Sequence, residues 1–261
     1  MGKRIYIISD LEGVAGIVSR DQLGPEGSEY EIARSYLTHE VNAAIDGCIE
    51  AGASDITVLD GHGHPRGYNI DLAIADDRAE YVIGTHRSST LPFLNESFDA
   101  VFLIGYHAMA GAERAVWSHT QSWESIVSYS INGEEFGEIG QMAIIAGTFE
   151  VPVVLVTGDQ AAINEAKSVI PGIIGIVVKE GDSRFCARTV TPNRSQTLIK
   201  SGAVEATKLI DKISPVRIDF PCEIKMTVSD SDFADEMERS GMLRTGKLTL
   251  SKMGQSFRDI P

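Results

Sequence analysis

The sequence predicts an α/β protein: a mostly parallel sheet flanked by helices, with an antiparallel hairpin excursion and a smaller C-terminal α+β portion. Three patterns carry this expectation. Short β-rich apolar runs alternate with longer stretches of helical period, Asn132-Gly133 interrupts the series with a strong hairpin signal, and the character of the chain changes after Gly181. Taken in order, apolar runs at 3–9, 55–59, 80–83, 100–106, 151–157 and 175–179 read as strands. Between the first two, Tyr30, Ala33, Leu37, Val41, Ala44, Ile45 and Cys48 recur at helical offsets, and Gly52 marks the stop of a helix over 29–51. Further helices are predicted over 139–149 and 161–170, and strands joined by crossover helices pair in parallel. Residues 122–131 alternate as a strand that turns at Asn132-Gly133 into 134–137. The last part reads as a helix over 196–213 followed by strands over 216–229 and 247–252, so a boundary is expected between a catalytic α/β unit at 1–180 and an α+β portion at 181–261.

Composition excludes several functions. The 261 residues are 43% hydrophobic and 23% charged, the mix of a folded globular chain rather than a disordered one. A net charge of −14 repels phosphate backbones and anionic lipid, so neither nucleic acid nor a membrane surface is an expected partner. The longest apolar runs fall far short of the ~20 residues that a membrane span requires. The first strand follows Met1 almost directly, without a cleavable signal pattern, and Cys48, Cys186 and Cys222 lack metal-site spacing. Both features fit a reducing cytoplasm, with the three thiols expected as small core residues.

The chemistry concentrates where a parallel sheet collects ligands, outside the carboxyl ends of its strands. The first strand runs into Ser9-Asp10-Leu11-Glu12-Gly13, the second into Asp60-Gly61-His62-Gly63-His64, the strand at 100–106 into His107, and Ser118-His119 lies beyond it. Glu138 opens the helix after the hairpin. Each residue alone has an ordinary structural explanation, as a cap, a turn former or a packed histidine; their recurrence at one sheet edge does not. Asp10 and Glu12, two apart on an extended segment, project similarly and repel unless a cation lies between them. Mixed carboxylate and imidazole ligands suit zinc, with manganese or cobalt as alternatives. Five candidate ligands are too many for one open catalytic zinc site but suit a binuclear hydrolytic centre. His39 and His86 fall outside this group, and His64 reads as an exposed loop residue. Walker, His-Glu-x-x-His and Gly-x-Ser-x-Gly signatures are all absent.

Ser-Asp-Leu-Glu-Gly, Asp-Gly-His, Gly105-Tyr106-His107-Ala108, Ser118-His119, Gly137-Glu138-Ile139-Gly140 and Val-Pro-Val-Val-Leu-Val-Thr-Gly-Asp at 151–159, in this order, resemble the zinc-dependent D-aminopeptidase family over residues 3 to about 190. The resemblance implies two zinc ions bridged by Asp10, one completed by Glu12 and His107 and the other by His62 and Glu138. It also implies His119 as the catalytic residue, short peptides with an N-terminal D-residue as substrates, and a homo-oligomeric ring of five or a decamer of two stacked rings. Trp123, Ile126, Tyr129, Ile131 and Phe136 give the hairpin apolar surface that such a contact would cover, unless the C-terminal portion of the same chain covers it. A binuclear metallophosphoesterase is the alternative enzyme and requires basic residues for phosphate, for which Arg66, Arg87 and Arg114 are candidates. A non-catalytic metal-binding oligomer is the third reading and leaves His119 without a task.

Overall fold

The computed structural model describes residues 2–63 and 68–260. His64 and Arg66 lie outside the described residues. The elements in chain order are β1 (Lys3–Ser9), α1 (Tyr30–Glu50), β2 (Ala53–Asp60), β3 (Glu80–Val82), β4 (Ala100–Tyr106), β5 (Ile126–Ile131), β6 (Glu134–Glu135), α2 (Glu138–Gly147), β7 (Val153–Asp159), α3 (Gln160–Val169), β8 (Ile174–Ser183), β9 (Cys186–Thr189), α4 (Pro192–Lys208), β10 (Cys222–Val228), α5 (Ser231–Arg239), β11 (Leu243–Arg244) and β12 (Thr249–Gly254).

A seven-stranded sheet in the order β3-β2-β1-β4-β7-β8-β9 is parallel except for its last strand, as the alternation of strands and helices predicts. Every residue of β4 and β7 is buried, because helices sheathe a parallel sheet and no strand face is left for water. α1 packs against α4, and α3 against β7 and β8. The strand order reverses between β1 and β4: the chain first builds outward from β1 through β2 to β3, then returns to β1's other side. Loops leaving the carboxyl ends of β1 and β4 therefore diverge, and a crevice opens between them.

Two glycines let those loops touch. Gly13 donates its N–H to the Gly105 carbonyl at 2.7 Å, and a Cβ on Gly13 would stand 2.0 Å from the Tyr106 carbonyl oxygen. Gly105 itself has φ +77°, turning its N–H onto Thr157 Oγ1 at 2.9 Å, and a Cβ there would lie 2.2 Å from the Asp10 carbonyl oxygen.

The second sheet is antiparallel, in the order β11-β12-β10-β5-β6. The hairpin is thus not an isolated excursion: Ile131 pairs with Ile224 and Tyr129 with Met226, and Tyr129 and Ile131 are buried by their own chain. Trp123 and Val127 remain exposed. Ser122–Ser125 does not extend the strand, since Ser122 turns the chain by accepting from the Ile126 N–H at 3.2 Å. The boundary expected near Gly181 falls inside β8, and β9 and α4 beyond it complete the first layer, so it does not coincide with the division between the sheets. α5 went unforeseen; Asp230 caps it by accepting from the Phe233 N–H at 2.9 Å. Cys48 and Cys222 are core residues, but Cys186 is exposed, because β9 is the sheet's edge strand. No helix among the described residues is long and apolar enough to cross a membrane.

Candidate metal centre

Four parts of the fold bring six side chains together, and all of them but His107 line a cavity of about 660 Å³. Asp10 and Glu12 leave the end of β1, His62 the end of β2, and His107 and His119 the segment after β4; Glu138 opens α2, where the helix dipole favours its charge. All five predicted ligands and His119 converge, and all are buried except Glu138, which is partly exposed. His39 instead contacts the Ser35 carbonyl on α1 at 2.6 Å, and His86 is exposed.

The side chains form two groups, Asp10 with Glu12 and His62, and His107 with His119 and Glu138. His62 Nδ1 lies 3.0 Å from Asp10 Oδ1 and 3.0 Å from Glu12 Oε2. His107 Nε2 lies 3.4 Å from Asp10 Oδ2 and 3.5 Å from Glu138 Oε1. Asp10 therefore reaches both groups, one oxygen to each. Glu12 stands with His62 and Glu138 with His107, whereas the family resemblance implies Glu12 with His107.

The main chain sets how each imidazole faces the cavity. His62 Nε2 meets the Leu23 carbonyl at 3.0 Å, His107 Nδ1 the Ala108 carbonyl at 3.0 Å, and His119 Nδ1 the Trp117 carbonyl at 2.7 Å. A carbonyl only accepts, so in each ring that nitrogen carries the proton, and the neutral ring offers its other nitrogen to the cavity as a lone pair. Those lone pairs face carboxylate oxygens, acceptor against acceptor. Asp10 Oδ2, Glu12 Oε2 and His107 Nε2 are buried without a hydrogen-bond partner. Such a cluster requires positive charge at its centre, supplied by protons or by metal cations, and its mixed oxygen and nitrogen donors fit zinc.

The electrostatics show the same demand. Burial, with the Glu12 charge adding to it, pushes Asp10 up to about 7. Burial opposes ionisation of Glu12 and Glu138 as well, yet His62 holds Glu12 well below the usual carboxylate range and His107 lowers Glu138. The two imidazoles respond in kind: against burial, Glu12 raises His62 and Glu138 raises His107. His119 goes the other way, lowered by burial and by His107, on which it stacks with ring centres 3.9 Å apart.

Some of the supporting residues were not visible in the sequence. The Gln121 N–H donates to Glu138 Oε1 at 2.8 Å, and the Met109 N–H donates to Glu165 Oε2 at 2.7 Å, tying the segment after β4 to α2 and α3. Arg114, Trp117 and Gln121 along that segment all have positive φ, a strained backbone that brackets His119. Asp60 is not among the clustered carboxylates. Fully buried, it accepts from the Asn69 N–H at 2.6 Å, Asn69 Nδ2 at 2.8 Å and the Ile70 N–H at 3.0 Å, shaping the approach to His62. Asp60→Ala leaves three buried donors unpaired and is expected to cost roughly 3 kcal/mol or more, read as a lower urea midpoint.

The wider cavity carries Trp117, Trp123, Arg20 and Glu124 on its walls. Arg20 is the one Arg or Lys among its described lining residues. Arg87 is spent on the Gly84 and Asp60 carbonyls, and Arg114 is mostly exposed beside Glu180.

A sequence model of the D-aminopeptidase family matches residues 3–260, well past the point near 190 to which the motifs carried the resemblance. A D-aminopeptidase of Bacillus subtilis (strain 168) is 28% identical over 214 residues, 82% of this chain and 77% of its own. The solved structure of the Zn-dependent D-aminopeptidase DppA from Bacillus subtilis, described as a self-compartmentalizing protease, superposes with a TM-score of 0.94 at 24% identity, covering 98% of this chain and 93% of that one. With a match that spans both sheets and every residue of the cluster, this chain belongs to the D-aminopeptidase family of peptide hydrolases.

Proposed function

We propose that the cavity holds two metal cations, zinc by preference with manganese or cobalt as substitutes, and that the enzyme removes the N-terminal residue, D-configured, from short peptides. The observation that carries this reading is the facing of inward imidazole lone pairs onto carboxylates in a buried cluster. Asp10 would serve both metals, with Glu12 and His62 completing one set and His107 and Glu138 the other, a pairing supported by the contacts above. The metals supply activation of a water and stabilisation of charge on the scissile carbonyl. His119 supplies proton transfer: with Nδ1 held by the Trp117 carbonyl, Nε2 is free to take a proton from the attacking water and return it to the departing amine. Its lowered proton affinity keeps that nitrogen ready to accept. A phosphoesterase finds little support, since Arg20 alone among the described lining residues would meet a phosphate.

The self-compartmentalizing character of the similar DppA structure supports a closed ring here too, either five subunits or ten, and the exposed Trp123 and Val127 beside the hairpin offer apolar surface for it. The free thiols support residence in the reducing cytoplasm. Anomalous scattering at the zinc edge is expected to show two peaks in the cluster, and the zinc-loaded protein to cleave a D-aminoacyl anilide but not a chromogenic phosphate ester. A single peak, or phosphate-ester hydrolysis alone, overturns the reading. Light scattering is expected to give a particle several times the 28.2 kDa chain; a stable monomer defeats the ring and leaves the chemistry standing.

A further inference from the structure

Behind the metal centre lies a second cluster of buried charge that neither the ligand set nor His119 uses. Lys179, near the middle of β8, is buried, and its Nζ donates to three main-chain carbonyls of the segment leaving β1: Glu12, Val14 at 2.9 Å and Ile17 at 2.7 Å. An ammonium has three protons, and all three are taken. Glu40 of α1, also buried, grips the same segment by its donors, accepting from the Ala15 N–H at 3.0 Å. The segment turns tightly between these grips, with the Val14 N–H on the Leu11 carbonyl at 3.2 Å and the Ile17 N–H on the Val14 carbonyl at 3.2 Å. Its other end is held separately: Gln22 Oε1 accepts from the Val18 and Ser19 N–H groups at 2.8 Å each, and Gln22 Nε2 donates to the Gly16 carbonyl at 3.1 Å.

We propose that Lys179 is a positioning residue for the metal centre, its ammonium fixing the main chain of Glu12 so that the Glu12 carboxylate stays aimed at His62. The reason is geometric. Glu12 Oε2 faces His62 Nδ1 at 3.0 Å, so the aim of the carboxylate follows the backbone that carries it, which is set from behind by Lys179 and from the side by the Gly13–Gly105 bond. A buried ammonium is an expensive way to satisfy three carbonyls, and the negative charge around it comes first from Asp159 and then from Glu40. The device converts packing between β8 and α1 into the placement of a ligand, which is how groups behind a ligand set metal affinity.

The inference rests on the reading of Glu12 as a metal ligand, and the test separates the two. Lys179→Met keeps the stem and removes the donors; Lys179→Gln keeps two donors without the charge and serves if the first variant fails to fold. Gln22→Ala loosens the far end of the same segment and reports what loop stability alone does. Zinc affinity is measured by competition with a chromogenic chelator, beside the visible spectrum of the cobalt-substituted protein and the melting temperature. Lys179→Met is expected to bind the zinc of the Glu12 and His62 set about 10- to 100-fold less tightly and to change the cobalt spectrum, with Lys179→Gln between it and wild type. Gln22→Ala is expected to lower the melting temperature while leaving affinity and spectrum as in wild type. Wild-type affinity and spectrum in both Lys179 variants overturn the proposal, as does an equal loss in Gln22→Ala, which would make the effect one of stability. A wild-type protein that binds no zinc sinks the metal reading itself.

Discussion

Asp10→Ala is expected to purify with neither metal and without measurable peptide hydrolysis, while Glu12→Ala and His62→Ala each keep about one metal per chain. Asp10 is the one carboxylate with an oxygen toward each group, 3.0 Å from His62 and 3.4 Å from His107, so its loss opens both sets at once. Removing it also relieves the strain of a buried carboxylate crowded against Glu12, which without metal is pushed up to about 7. The metal-free variant is therefore expected to melt no lower than metal-free wild type. Chelator should lower the melting temperature of the wild type, whose folded state binds the metals, and leave Asp10→Ala unmoved. Elemental analysis on the purified variants settles the matter; an Asp10→Ala protein that still carries two metals would defeat the bridging role.

His119→Ala is expected to keep both metals and to lose ~10²- to 10⁴-fold in turnover, with KM little changed, the scale of a positioned acid or base. His119 is the cluster's least committed member: its Nε2 lies 3.7 Å from Glu138 Oε1, farther than any contact made by His62 or His107, and Asp10 does not reach it. Its anchorage is nonetheless firm, through the Trp117 carbonyl and the stack on His107. Because it stands in one group with His107 and Glu138, metal content is the deciding measurement. Loss of one metal along with turnover would make His119 a ligand.

The place of the site was legible in the sequence because a parallel sheet has only one carboxyl edge. Polar residues directly following the runs at 3–9, 55–59 and 100–106 had to emerge together, and Asp10, Glu12, His62 and His107 do. His119 and Glu138 follow from the motifs rather than from strand ends, and they reach the cavity by a strained segment and by a helix start after a hairpin. The hairpin was legible as well, and the C-terminal portion was one of its two expected covers, but not the strand or the register: β5 pairs with β10, almost a hundred residues later, so as to bury Tyr129 and Ile131.

Local pattern determined which segments became strands and helices, and which chemical groups stood at their ends, because propensity, turn residues and apolar period act over a few residues. Tertiary structure decided everything that depends on distance across the chain. It set Glu12 beside His62 rather than His107, turned the His62 imidazole by the Leu23 carbonyl of a distant loop, and placed Lys179 and Glu40 behind the ligand segment. In the sequence those two residues read as ordinary polar positions on a strand and a helix. Only the buried environment, where an unpaired charge or carbonyl is costly, makes them parts of one device.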